Sequence, residues 1–113
     1  MFRRTLLASA FALASSFAFA APVTYTIDGA HTQAVFSWNH FGYSHPTANF
    51  DRIEGTITYD DADVSKSGVD VTIAIDSINS HVTKFDEHLK SADFFDAAQF
   101  PTATFKSTKG EKG

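Results

Sequence analysis

The five histidines His31, His40, His45, His81 and His88 are the side chains most suited to metal or acid–base chemistry in this chain, which has no cysteine. Zinc ligands drawn from one stretch of chain lie a few residues apart, because one short element must bring them to a single ion. His40 and His45 come nearest to that spacing, but on one strand they would point to opposite faces unless Gly42 reoriented them. No metal site is expected. A buried imidazole needs a hydrogen-bond partner, so His40 is assigned a hydrogen bond in the interior and His31 and His88 structural or mouth-lining contacts, with Asp28 and Asp86 near them in sequence. Asp60, Asp61 and Asp63 form an acidic cluster of the kind that loops leave to solvent. The chain has no Gly-x-Ser-x-Gly, no His-Glu-x-x-His and no glycine loop that would cradle a phosphate. No catalytic residue is therefore assigned, and the expectation is a protein that is not an enzyme.

The aromatic content points elsewhere. Twelve Phe in 113 residues bring a large apolar area, and the elements that would position it alternate with period two, the strand signature. Val23, Tyr25 and Ile27 alternate with Thr24, Thr26 and Asp28. Ala34, Phe36, Trp38 and His40 follow, up to a break at residues 42–46. A third strand is expected over residues 49–59, with a bend or bulge at Gly55. The clearest is the fourth, Val69, Val71, Ile73 and Ile75 against Asp70, Thr72, Ala74 and Asp76. A fifth spans residues 102–108.

Between Asn79 and Phe100 the period changes. Thr83-Lys84-Phe85-Asp86 has the spacing of a capping box, and Phe85 and Leu89 share a face, so a helix is expected over residues 83–91. Asp93 would cap a second turn through Phe94, Phe95, Ala97 and Ala98, which Pro101 stops. Strands with one apolar and one polar face belong to antiparallel sheets, so the fold class is all-β, an antiparallel barrel or sandwich with one or two short helices. Five strands leave an uncovered edge, which invites pairing with another copy or with further strands.

The N-terminus reads as a secretory leader over residues 1–20: basic Arg3 and Arg4, an apolar run over residues 6–19, and Ala18-Phe19-Ala20 before the expected cleavage. The apolar run is short of the roughly 20 residues that span a bilayer, so no stable membrane insertion is expected. Losing Arg3 and Arg4 leaves seven basic against thirteen acidic residues, a net charge of −6. Such a chain is unsuited to nucleic acid or to anionic headgroups, and any lipid contact is expected inside the protein rather than on its surface. Residues 21–113 make one domain.

Two blocks resemble a known family. The first is Tyr25-x-Ile27-Asp28-x-x-His31-Thr32-x-x-x-Phe36-x-x-x-His40-Phe41-Gly42-Tyr43-Ser44, followed by Phe50-x-x-Ile53-x-Gly55-x-Ile57-x-Tyr59-Asp60. The second is Asp76-Ser77-Ile78, Asp86-Glu87-His88-Leu89-Lys90-Ser91-Ala92-Asp93-Phe94-Phe95-Asp96 and Phe100-Pro101-Thr102-Ala103-Thr104-Phe105. Together they resemble the YceI-like periplasmic polyisoprenoid-binding proteins. The resemblance implies a lipocalin-like β-barrel of about eight strands. Its apolar pore would hold a long-chain isoprenoid lipid such as an isoprenoid quinone or a polyprenyl phosphate, with no cofactor beyond that ligand. It also implies secretion to the periplasm, a tendency to form homodimers, and further strands beyond Gly113, so that the barrel here lacks its C-terminal strands. Ala48 stands where many relatives carry Gly, a departure that matters only if that position needs positive φ.

On this reading Phe36, Trp38, Phe50, Ile57, Val71, Ile73 and Phe105 line the pore, Phe94 and Phe95 close one end, and His40 is the polar group among them. The alternatives are an exported structural or stress-related barrel with a filled core and no ligand, and a metal-dependent hydrolase.

Overall fold

The computed structural model describes residues 20–113, so the expected leader lies outside the described residues apart from Ala20. Among the described residues seven strands and one α-helix form: β1 (Val23–Thr26), β2 (Ala34–Ser37), β3 (Thr47–Phe50), β4 (Ile53–Tyr59), β5 (Gly68–Ala74), β6 (Ile78–Asn79), α1 (Thr83–Lys90) and β7 (Thr102–Lys106). All strand pairings are antiparallel. They build a four-stranded sheet of order β1-β4-β5-β7 and a three-stranded sheet of order β2-β3-β6. The fold is thus mainly β and antiparallel, as the alternating faces require, and the described residues form two open sheets rather than a closed barrel.

The third expected strand is in fact two. The chain turns at Asp51-Arg52 and passes from the small sheet into the large one, and β5 and β6 make the matching passage through a 3-10 turn at Ile75–Ser77. Ser77 ties the two crossings together. Its Oγ accepts from Arg52 N at 3.0 Å and donates to Ala74 O at 2.6 Å, while its carbonyl accepts from Asp51 N at 3.0 Å. Around it the Arg52 guanidinium donates to the Asp76 carboxylate at 2.6 Å, and Asn49 and Asn79 donate to Asp51 at 2.7 and 2.9 Å. Backbone groups that leave the ladder at a corner are thereby satisfied. This also ends the fourth strand at Ala74, where alternation alone extends it to Asp76.

Gly55 continues the β4–β5 register opposite Val71 without a bulge against that strand. A Cβ there would lie 2.1 Å from Asp70 O, and its φ of +152° is a conformation that L-residues rarely adopt. Close approach of two backbones, rather than a register break, is the reason for this glycine. Ala48 is a buried strand residue with an ordinary negative φ, so an alanine costs nothing in backbone strain.

Paired positions separate the large sheet into two faces. Tyr25 stands opposite Ile57, Ile57 opposite Val69, Val71 opposite Phe105 and Ile73 opposite Ala103, giving one apolar face. The other face carries Thr24 and Thr58, hydroxyls 3.2 Å apart, and Asp70 facing Lys106 at 3.8 Å. The buried core lies at the small sheet and the helix. Phe50, Ile75, Ile78 and Leu89 form it, with Ala34, Phe36, Ile73, Phe85 and Ala97 packed against them.

Helix α1 starts differently from the capping-box reading. Val82 is its N-cap and offers no side-chain bond. Asp86 instead reaches back to Ser80, accepting from its N–H at 2.7 Å and its hydroxyl at 2.6 Å. No second helical turn follows. The N–H groups of Phe95 and Ala97 return to Leu89 O and Lys90 O at 3.0 and 2.9 Å, covering carbonyls that the helix leaves free. Asp96 takes a left-handed φ of +48° in that turn.

Candidate functional site

A cavity of about 680 Å³ opens between the inner face of the small sheet and α1. That is within the usual range for pockets that take a small molecule or a lipid segment. Phe36 and Trp38 form one wall, their rings 5.9 Å apart, and Phe85 and Leu89 form the helix wall. Trp38 bridges the two, with its ring 5.5 Å from that of Phe85. Phe50 and Phe36 stand 5.5 Å apart, and both meet the edge of Phe95, at 5.6 and 6.0 Å. The returning turn after α1 carries Phe95 into this cluster. Asn39, His40, Phe41, Pro46, Val82 and Phe94 complete the mouth.

Of the ten residues assigned from sequence, Phe36, Trp38, His40, Phe94 and Phe95 line this cavity. Phe50 lies behind it in the core, and Ile73 packs on the same core from the apolar face of the large sheet. Ile57, Val71 and Phe105 are not among the lining; they stand on that open face, where Ile57 and Phe105 are exposed. Asn39, Phe41, Pro46, Val82, Phe85 and Leu89 also line the cavity and are not among the residues expected from sequence. The four-residue spacing of Phe85 and Leu89 marked an apolar helix face, but nothing local said that a cavity lay against it.

The polar assignments change in detail. His40 is exposed, its ring 4.9 Å from Phe41, and among the described residues that ring makes no hydrogen bond; its backbone N–H bonds Ser44 O at 2.8 Å. The position at the mouth rather than in the interior is the reason, since water can serve the ring there. His31 pairs with Asp28 at 2.7 Å on the surface. His88 turns to Asp93 at 3.4 Å, and Asp86 is held by Ser80. Asp60 departs from the solvated expectation: it is buried, and its carboxylate accepts from the N–H groups of Ala62 and Asp63 at 3.0 and 2.9 Å. It organises its own loop. Among the described residues no three His, Asp or Glu side chains gather as a metal site would require. No described helix is long and apolar enough to cross a membrane.

Fold and site together define an antiparallel β protein with an aromatic pocket between a sheet and a helix. The YceI-like domain model matches residues 25–112, and the chain belongs to that family. It is 41% identical over 110 residues to a UPF0312 protein of Vibrio cholerae, covering 95% of this chain and 58% of the relative. It is also 41% identical over 92 residues to a UPF0312 protein of Shewanella denitrificans, covering 79% of this chain and 48% of that one. The chain thus spans about half the length of the curated relatives it matches. Among solved structures it resembles Burkholderia cenocepacia BcnA with a TM-score of 0.68 at 21% identity, over 74% of this chain and 52% of BcnA, a likeness of fold. A mutant CJ YCEI protein crystallised with a monobromobimane guest gives a TM-score of 0.58 at 39% identity, over 78% of this chain and 52% of that one.

Proposed function

We propose that this chain supplies the ligand-holding part of an exported carrier that shields a long apolar lipid from water, a polyisoprenoid or isoprenoid quinone, and that it works by binding rather than catalysis. The observation that carries this reading is the aromatic cavity bounded by Phe36, Trp38, Phe85, Leu89 and Phe95. Apolar surface leaving water yields about 25 cal/mol per Å², so a slender chain needs few polar contacts there. Asn39 and His40 at the mouth are the groups that would meet a polar end. The open apolar face with Ile57, Val71 and Phe105 extends the same surface through Ile73, and these residues belong to the proposed ligand path. Export through residues 1–20 to the periplasm, with cleavage before Ala21, is part of the reading, as is a homodimer.

The filled-core alternative predicts an interior closed on its own side chains with no bound lipid. Trp38 provides the test, being the only tryptophan and standing in the pocket wall. Protein from the periplasmic fraction should yield a lipid on solvent extraction, and the stripped protein should change its Trp38 emission saturably when titrated with an isoprenoid quinone. Clean extracts together with an unresponsive Trp38 would overturn the reading.

A further inference from the structure

The mouth of the pocket ends in an aromatic turn that ligand binding alone does not require. Between β2 and β3, the N–H of Tyr43 donates to His40 O at 2.9 Å, and Asn39 Oδ1 accepts from Gly42 N at 2.6 Å. Phe41 and Gly42 both take left-handed φ, +51° and +79°. A phenylalanine in that region is uncommon, and here it leaves the ring outside the fold. Phe41 is 85% exposed and Tyr43 is 91% exposed. The patch is continuous with the pocket, because Phe41, Val82 and Phe94 line the cavity and are also exposed on its rim.

Charge is distributed to match. The chain carries thirteen acidic residues, yet residues 29–50 contain no Asp, Glu, Lys or Arg. On the opposite rim Phe94 stands edge-on to His88, which pairs with Asp93. An uncharged tip with a phenol and a phenyl ring suits the headgroup layer of a bilayer, where amphipathic aromatics collect. The β2–β3 turn itself brings no carboxylate to lipid phosphates, and on the opposite rim the exposed Asp93 is paired with His88.

We propose that Phe41 and Tyr43, with Val82 and Phe94, dock the pocket mouth reversibly on a phospholipid surface, so that an apolar ligand passes between bilayer and pocket without crossing water. The docking rests on the carrier reading only for what passes through the mouth, and it is measurable with no ligand present. Acidity of the whole chain pointed to lipid contact in the interior alone; the turn places apolar surface on the rim of the cavity.

Flotation with phosphatidylcholine vesicles tests it, using variants that share one N-terminus so that residues 1–20 weigh equally in all. The unaltered protein should float, Tyr43→Ser should bind about tenfold more weakly, and Val35→Ser, an exposed apolar residue on the outer side of β2, should bind as before. With Trp38→Phe as background, Tyr43→Trp should be quenched by brominated phosphatidylcholine. Absence of flotation, equal losses in Tyr43→Ser and Val35→Ser, or a Tyr43→Ser effect on self-association with vesicle binding intact would each overturn the proposal. Quinone uptake in vesicle-free solution, read from Trp38, should survive Tyr43→Ser. If uptake fails in every protein while flotation follows Tyr43, the carrier reading falls and the docking stands.

Discussion

The ring of Phe95 meets the ring of Phe36 edge to face, with centroids 6.0 Å apart, although Phe36 stands on β2 and Phe95 follows α1 in irregular chain. This contact joins the sheet wall of the pocket to the turn that folds back over the helix end.

Phe36→Asp places a carboxylate among Trp38, Phe50 and Phe95. Quinone binding followed by Trp38 emission should weaken more than about a hundredfold, since an unpaired charge is costly in an apolar site. Phe94→Ala, at the exposed rim, should cost about tenfold with the circular dichroism unchanged. Uptake unaffected in a folded Phe36→Asp protein would remove this cavity as the ligand site.

Ser77→Ala removes the hydroxyl shared by Arg52 N and Ala74 O at the corner between the sheets. Two polar groups lose a partner, so urea unfolding should show a loss of about 1–3 kcal/mol. A loss below about 0.5 kcal/mol would mean that water replaces the hydroxyl.

Gly55→Ala forces a Cβ to within 2.1 Å of Asp70 O at a φ of +152°. The β4 and β5 backbones must separate, and the expected cost is about 3 kcal/mol or more. Proton exchange at the amides of residues 53–58 and 68–73 would accelerate together.

The start of α1 distinguishes two capping schemes. Asp86→Ala breaks the bonds to the Ser80 N–H and hydroxyl and should cost about 1–3 kcal/mol. Thr83→Ala removes no cap, since Val82 holds that position, and should stay within about 0.5 kcal/mol. The reverse order in thermal unfolding would restore the capping box.

The Asp63 carboxyl is held below its ordinary value of 3.8, chiefly by the Ser65 hydroxyl at 2.6 Å, then by the Ser65 N–H, with Lys66 adding a smaller effect. A depressed folded-state pKa contributes stability above the ordinary carboxylate range, which is lost as pH falls through the folded value. Carboxyl NMR titration should place Asp63 below 3.8 and move it upward in Ser65→Ala.

Alternation along the chain determined which residues share a face, because pleated backbone sends successive side chains to opposite sides. The apolar face of Tyr25, Ile57, Val71 and Phe105, the antiparallel class and the helix with Phe85 and Leu89 were all legible that way. Period two cannot reveal a corner, since alternation runs on through it. The stretch 49–59 therefore read as one strand, and only Ser77, distant in sequence, shows why it breaks at Asp51-Arg52. Nor could it choose which apolar residues share a cavity. Phe36, Trp38 and Phe95 meet while Ile57, Val71 and Phe105 do not join them, because those distances are set by the strand order, which rests on hydrogen bonds between segments far apart in the chain, and by the turn that closes on Leu89 O and Lys90 O after α1.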